Sequence, residues 1–284
     1  MSTVSPLTRA GAIQWARQSI DRLDARLLLE FASGCTANAL IADPDVVLDA
    51  QQQCCFASLV DRRAAGEPLA YLVGQAGFYG DLLEVTSEVL VPRPETEDLV
   101  DWALEVLRGY QSPAILDLGT GSGAIALALA GARPDAQVTA VDVSSAALSV
   151  ASRNRQKLDR NHVNLICGSW YESLPQADSF DLIVSNPPYI PANDPHLVGD
   201  GVRFEPRLAL TDESDGLDAY RAIAAGAFAR LKPGGWLLVE HGHDQAAAVA
   251  LLCRQAGLVN VSGRRDLSGN PRMTGGQRAL EAPL

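Results

Sequence analysis

The segment Asp117-Leu118-Gly119-Thr120-Gly121-Ser122-Gly123 constrains the fold more tightly than any other stretch of the chain. It follows an apolar run at residues 114–118 and leads into a helical pattern at 123–131. Glycines there allow the sharp turn from strand to helix and the close approach of a ligand to backbone N–H groups. Strand and helix patterns alternate from this point on. Strands are expected at residues 114–118, 137–141, 163–167, 180–185, 236–240 and 258–262. Helices are expected at 123–131, 144–157, 217–231 and 244–256, with Lys232-Pro233-Gly234-Gly235 as a turn. Near-continuous apolar strands separated by helices predict a mostly parallel sheet covered on both faces, an α/β Rossmann-like domain.

The glycine segment alone leaves the ligand open. Gly119-x-Gly121-x-x-Ala124 also satisfies the dinucleotide pattern, so a dehydrogenase remains an alternative here. Asp117 favours another cofactor: a carboxylate there suits the ammonium end of a methionine moiety, directly or through water, and gains little beside a pyrophosphate. Asp142, 25 residues later at the end of the next strand, suits ribose hydroxyls, with capping of the following helix as the structural alternative. Gly168-Ser169-Trp170 follows the third strand, where Trp170 is placed to pack on an adenine or simply to fill core.

Asn186-Pro187-Pro188-Tyr189 closes the run 180–185 about seventy residues after the glycine segment. A planar amino group is a weak nucleophile and must be held at a fixed distance from a methyl donor. The Asn186 side-chain oxygen and the Pro187 backbone carbonyl can accept its two hydrogens, Tyr189 can cover its flat face, and Pro187 and Pro188 keep the acceptors rigid. The two segments together predict an S-adenosylmethionine-dependent amino-group methyltransferase. Asn186, Pro187 and Tyr189 are the candidate catalytic groups, and Asn186 through Tyr189 the candidate substrate site.

Upstream the character differs. Residues 7 to 65 read as short helices, one from Ala25 through Ala32 and another from Val46 through Val60, closed by Gly66-Glu67-Pro68. Gly77-Phe78-Tyr79-Gly80, Leu82–Val85 and Val89-Leu90-Val91 predict a β-hairpin connector, followed by a helix over 96–107. The expected division is therefore a helical domain at 1–73, a hairpin at 74–95 and a methyltransferase domain at 96–284.

Bulk properties narrow the rest. A formal charge of −11, with only Lys157 and Lys232 as lysines, argues against a nucleic-acid partner, because phosphate neutralisation supplies most of such affinity. No apolar run approaches the ~20 residues of a membrane span. Residues 1–6 lack a basic stretch followed by an apolar core, so no signal peptide is expected. Five cysteines without C-x-x-C spacing fit reduced, buried thiols in a cytoplasmic protein. His241-x-His243 has no third ligand nearby, so no metal is expected; Asp212-Glu213-Ser214-Asp215 reads as a solvated loop. Arg264 through Arg272 edge the site or merely connect strands, and Gly275-Gly276-Gln277 reads as the turn into a last strand.

The chain resembles the protein-(glutamine-N5) methyltransferases of release factors, the PrmC or HemK family. The resemblance rests on Glu67-Pro68-Leu69-Ala70-Tyr71-Leu72-x-Gly74, Val91-Pro92-Arg93-Pro94-Glu95-Thr96-Glu97, residues 115–130 and 183–190, Val202-Arg203-Phe204-Glu205-Pro206 and Glu240-His241-Gly242. It covers nearly the full length and is weakest before about residue 60. It implies an N-terminal substrate-recognition domain and a Rossmann-like S-adenosylmethionine domain. Asp117, Gly119, Thr120, Gly121, Ser122, Gly123, Asp142, Ser169, Trp170 and Asn186 would contact the cofactor. The substrate implied is the glutamine of a Gly-Gly-Gln motif in release factors, handled by a cytoplasmic monomer without direct nucleic-acid or membrane contact. Ser169 departs from the family, where Asp is frequent before the Trp, so a carboxylate contact to the adenine amine is missing. Two alternatives stay: a ribosomal-protein glutamine methyltransferase, and an adenine or cytosine amino-methyltransferase. A cofactor-binding protein without activity is disfavoured by the two intact segments.

Overall fold

The computed structural model describes residues 7–199 and 201–280. The chain divides into two compact units, Met1–Gly74 and Gln75–Leu284. The sequence expectation for residues 1–6 lies outside the described residues.

Among the described residues the first unit holds five helices, α1 (Arg9–Ala16), α2 (Arg22–Ser33), α3 (Ala37–Ala42), α4 (Ala50–Ala64) and α5 (Leu69–Val73). Their ends are written in the sequence. The Asp21 carboxylate accepts the Leu23 and Asp24 N–H groups, Gly34 turns left-handed at the end of α2, and Asp49 with Gln52 forms a capping box on α4. Leu28, Leu29, Phe56 and Val60 are buried at the centre of this unit's core. Three expectations change. Val46 and Val47 precede the Asp49 cap as exposed extended chain, because the cap fixes where α4 begins. Gly66-Glu67-Pro68 does not end the series, since Pro68 opens α5. The adjacent Cys54 and Cys55 are exposed on α4, Cys167 is exposed at the end of strand 164–167, Cys35 is half-buried, and Cys253 is buried.

The second unit begins with a hairpin, β1 (Gln75–Phe78) and β2 (Asp81–Glu84), paired antiparallel across Tyr79-Gly80. Residues 89–91 do not add a strand. Then come α6 (Glu95–Val106), β3 (Ala114–Leu118), α7 (Ala124–Ala132), β4 (Gln137–Asp142), α8 (Ser145–Lys157), β5 (Asn164–Cys167) and β6 (Phe180–Ser185). Two 3-10 turns, Pro195–Val198 and Val202–Phe204, and the short α9 (Arg207–Leu210) lead to α10 (Asp218–Arg230) and β7 (Leu231–Glu240). The unit closes with α11 (Ala246–Gln255), β8 (Val259–Arg265) and β9 (Pro271–Gln277).

Seven strands form one sheet in the order β5-β4-β3-β6-β7-β9-β8, parallel from β5 to β7, with β9 antiparallel to both its neighbours. Alternate side chains serve the two faces. Ile115, Leu182, Val184 and Leu238 pack with α6 and α7, while Leu116, Ile183, Leu237 and Val239 pack with α10 and α11. Truncating one such side chain, as in Leu116→Ala, would cost about 2–5 kcal/mol.

One turn expectation is shifted and another overturned. Lys232–Gly235 lies inside β7 as a bulge, because Phe180 and Leu182 of β6 pair with Leu231 and Trp236, leaving residues 232–235 looped out of the ladder. Gly275-Gly276-Gln277 is strand rather than turn: β9 runs between β7 and β8, and a Cβ at Gly275 would meet Leu238 and Trp102 atoms at 2.6–2.7 Å. Glycine is required there because the Trp102 ring lies on the backbone.

Candidate active site

Chain order reverses between β3 and β6: β4 lies on one side of β3, while β6 and β7 continue on the other. At such a switch point the loops leaving the strand ends part and open a crevice. Leu118 is the register partner of Ser185, and the buried Ser185 hydroxyl donates to the Leu118 carbonyl at 2.7 Å. The glycine segment and Asn186 thus leave neighbouring strands side by side. They border a cavity of about 760 Å³ within the second unit, the size of a cofactor site.

Gly119, Thr120, Gly121 and Ser122 line one wall, Asp142, Ser169 and Trp170 another, and Asn186 and Pro188 a third. Gly119, Gly121 and Gly123 have φ of 74°, 57° and 86°, which side chains rarely adopt. Their N–H groups are already spent. Those of Gly119 and Thr120 donate to the Val141 carbonyl, that of Gly121 to Asp142 Oδ2 at 2.8 Å, and that of Gly123 to the Thr120 carbonyl. A pyrophosphate would need these donors. Among the described residues the lining includes Asp142, Asp212, Asp218, Glu88 and Glu213 against the single cation Arg93, an acidic balance. That disfavours the dinucleotide alternative and fits a sulfonium cofactor.

Asp142 supports the head of α8 and also lines the cavity. Its Oδ1 accepts the Ser144 N–H at 2.8 Å at the head of α8, its Oδ2 holds the loop, and it still faces the cavity. Burial raises its pKa, opposed by these N–H bonds. Asp117 lies beneath the loop rather than on the wall. Its Oδ2 accepts from the Thr120 hydroxyl at 2.7 Å and from the Ala126 N–H at 3.2 Å. Its Oδ1 is buried without a hydrogen-bond partner, an orphaned acceptor that calls for a donor. Burial pushes its carboxyl up to about 7. Gly123 packs below the wall, where an added Cβ would meet Leu127 at 3.0 Å. Trp170, at φ 45°, sets its ring beside Gly119 and against the core under β4 and β6.

Pro187 is buried and Tyr189 half-buried, both behind the wall that Asn186 and Pro188 form. Burial and the Glu240 charge push the Tyr189 phenol up to about 12, so it stays neutral. Tyr189 is clamped from behind by Gln245, whose Nε2 donates to the Tyr189 carbonyl at 2.9 Å and to the Gly216 carbonyl at 3.1 Å. The Gln245 Oε1 accepts the Gly242 N–H at 2.9 Å.

The Asn186 amide is anchored by residues that sequence reasoning did not assign. Its Nδ2 donates to Thr96 Oγ1 at 3.1 Å, and Thr96 donates to Glu240 Oε2 at 2.7 Å. Asn154 was also missed: its Oδ1 accepts the Glu84 N–H at 2.6 Å, while its Nδ2 donates to the Glu84 and Ser122 carbonyls, tying the hairpin to the glycine segment. Glu205 holds Arg93 at 2.5 Å and the Val91 N–H at 3.2 Å, joining two parts of the cavity rim. The available signal was polarity at the wrong place: Glu240 ends an apolar strand and Asn154 sits on the buried face of α8.

Other singled-out groups serve the scaffold. The buried His241 ring engages Thr274 Oγ1 at 2.9 Å and the Gly242 carbonyl at 2.8 Å, and burial lowers its pKa. Arg264 stacks on Trp102 and pairs with Glu105, and Arg272 with Asp266; none of these lines the cavity. The loop at 212–215 is more than solvated chain, since Asp212 accepts the Ser214, Gly216 and Asp218 N–H groups and faces the cavity.

Comparison with known proteins places the chain in a family. Residues 11–74 match the PrmC N-terminal domain, and residues 100–197 the methyltransferase small domain. The release factor glutamine methyltransferase of Bordetella pertussis is 50% identical over 261 residues, covering 92% of this chain and 96% of that protein. That of Burkholderia pseudomallei is 48% identical over 282 residues, covering 98% and 99%. Among solved structures, the T. thermophilus 16S rRNA methyltransferase RsmC, in complex with AdoMet and guanosine, superposes with a TM-score of 0.53. It covers 72% of this chain and 49% of that one at 22% identity, a likeness of fold.

Proposed function

We propose that this chain, which belongs to the release factor glutamine methyltransferases, moves a methyl group from S-adenosylmethionine to the side-chain amide nitrogen of a release-factor glutamine, the one in its Gly-Gly-Gln motif. The observation that carries the reading is the juxtaposition of the glycine segment and Asn186 across the switch point, on one cavity lined by carboxylates.

Bound S-adenosylmethionine would supply an electrophilic methyl carbon on a sulfonium. Gly119 through Gly123 would shape its seat, Asp142 would hold the ribose hydroxyls, Ser169 and Trp170 would border the adenine, and Asp117, buried beneath the loop, would act on the ammonium side through the loop or a water rather than by direct contact. The protein's own work falls on the acceptor nitrogen. Asn186 Oδ1 and the Pro187 carbonyl accept the two amide hydrogens and aim the nitrogen lone pair at the methyl carbon. Methyl transfer from the sulfonium would leave the nitrogen positively charged and acidic, and it would then give one proton to water. No strong base is needed before attack. Two preorganised acceptors at a reacting nitrogen act mainly by orientation and dipole placement, typically on the order of 10²–10³ in rate for one such contact.

Residues 1–73 are proposed to recognise the release factor, and the enzyme to act as a monomer in the cytoplasm. Among the described residues no helix is long and apolar enough to cross a membrane. Incubation of purified enzyme with labelled S-adenosylmethionine and unmodified release factor should add one methyl to the Gly-Gly-Gln glutamine, located by mass spectrometry. Labelling of nucleic acid with none on protein would refute the proposal.

A further inference from the structure

An asparagine amide has nearly the same shape either way round, so sterics do not decide which end faces the cavity. The chemistry depends on that choice. With Oδ1 outward, Asn186 accepts a substrate N–H; with Nδ2 outward, two donors face each other and the acceptor nitrogen is expelled. Something must set the polarity.

The geometry points to Thr96 and Glu240 as positioning residues that keep the Asn186 carbonyl oxygen turned toward the substrate, and that do so only while Glu240 is ionised. This rests on the glutamine reading above, since it concerns how the same site holds its acceptor. Thr96 has one hydroxyl hydrogen and lies between two partners, Asn186 at 3.1 Å and Glu240 at 2.7 Å. Ionised Glu240 is an acceptor only, so it takes that hydrogen. The Thr96 oxygen then shows Asn186 a lone pair, which only Nδ2 can satisfy. Protonated Glu240 can instead donate to Thr96, freeing the hydroxyl hydrogen to turn toward Asn186 and favouring the flipped amide. Thr96 is 4% and Glu240 2% exposed, so bulk water cannot scramble these directions.

The groups around Glu240 come from several elements. Arg272 of β9 favours its charge, as do the bond from Thr96 of α6 and the nearby Asn186 amide, while Glu95 of α6 and burial oppose it. Tyr189 and Tyr220 are neutral phenols, and the Tyr220 hydroxyl donates to the Glu240 main-chain carbonyl at 2.8 Å. The neighbouring His241 ring is turned to Thr274. Burial prevails and lifts the Glu240 carboxyl to about 7, so its protonation changes near neutrality.

The test is single-turnover methylation of unmodified release factor at saturating S-adenosylmethionine from about pH 5.5 to 9, with cofactor affinity by calorimetry. Wild type should slow about tenfold per pH unit on the acid side and level off above neutrality, as one essential ionised group requires. Thr96→Val should lose about 10–100-fold in rate with little change in cofactor affinity, the scale of one hydrogen bond to a charged network. Thr96→Ser should restore most of it. Glu240→Gln should be slower and should lack the acid limb. If Thr96→Val does not fold, Thr96→Ser and Glu240→Gln carry the comparison. An unimpaired Thr96→Val, or an acid limb retained in Glu240→Gln, overturns the positioning role alone. A folded wild type that never methylates the glutamine overturns the glutamine reading and this inference with it.

Discussion

Glu240→Gln should make the protein more stable at pH 8 while making it a poorer enzyme. The Glu240 carboxyl sits at about 7 in the fold against an ordinary value of 4.5, mainly because it is buried. The folded state therefore binds this proton more tightly than the unfolded chain does. That advantage is complete below the ordinary value and is lost as pH rises through about 7. Two to three pKa units correspond to about 3 kcal/mol, which wild type forgoes at pH 8 to keep a charge in the interior. Glutamine keeps the shape and an acceptor for Thr96 without the charge. Its extra N–H must find a partner, which removes about 1 kcal/mol of the gain. A net stabilisation of about 1–3 kcal/mol at pH 8 is expected, or roughly 2–12 °C in melting temperature for a unit of this size. At pH 5, where wild type is protonated in the fold, the difference should nearly vanish. Asp117, also lifted to about 7, is common to both proteins and cancels. Urea unfolding of wild type and variant at both pH values measures this directly. A variant no more stable than wild type at pH 8, or a gap that does not narrow at pH 5, would refute the reasoning.

Three further outcomes follow from the site. Asn186→Ala should lose about 10²–10³ in single-turnover rate while cofactor affinity stays within roughly tenfold, because Asn186 is one wall among three; a fully active variant refutes its role. Asp142→Ala should weaken S-adenosylmethionine binding by about 1.5–3 kcal/mol and also lower stability, since the Gly121 and Ser144 N–H groups lose their acceptor; calorimetry and unfolding on one preparation separate the two. Gly216→Ala should destabilise by about 2 kcal/mol or more: its φ is 78°, and the new Cβ would strike the Tyr189 carbonyl oxygen, so unchanged unfolding would contradict the clamp at Gln245.

The fold class was legible because each element carries its own local signal. Apolar runs of strand length, the Asp21 and Asp49 caps and the glycine segment act within a few residues, and the structure follows them closely at β3, β6, α6 and α10. Local signals fail where a neighbour decides. Lys232–Gly235 has turn composition and does loop out, but between two paired stretches of β7 rather than ahead of it, and Gly275-Gly276 is strand because Trp102 needs the space and β7 offers a pairing edge. The site divides the same way. Sequence put forward Asn186, Asp142 and the glycines as candidates, because each ends a strand-length apolar run, and the fold brings them to one cavity. It could not orient the Asn186 amide: Thr96 and Glu240 lie 90 residues before it and 54 residues after it by number, and meet only when α6 and β7 pack on β6. Which residues can bond to a methyl acceptor is a property of side-chain chemistry and is written in the sequence. Which way round they present their atoms is set by buried partners with a fixed supply of hydrogens, and only the tertiary structure brings those partners together.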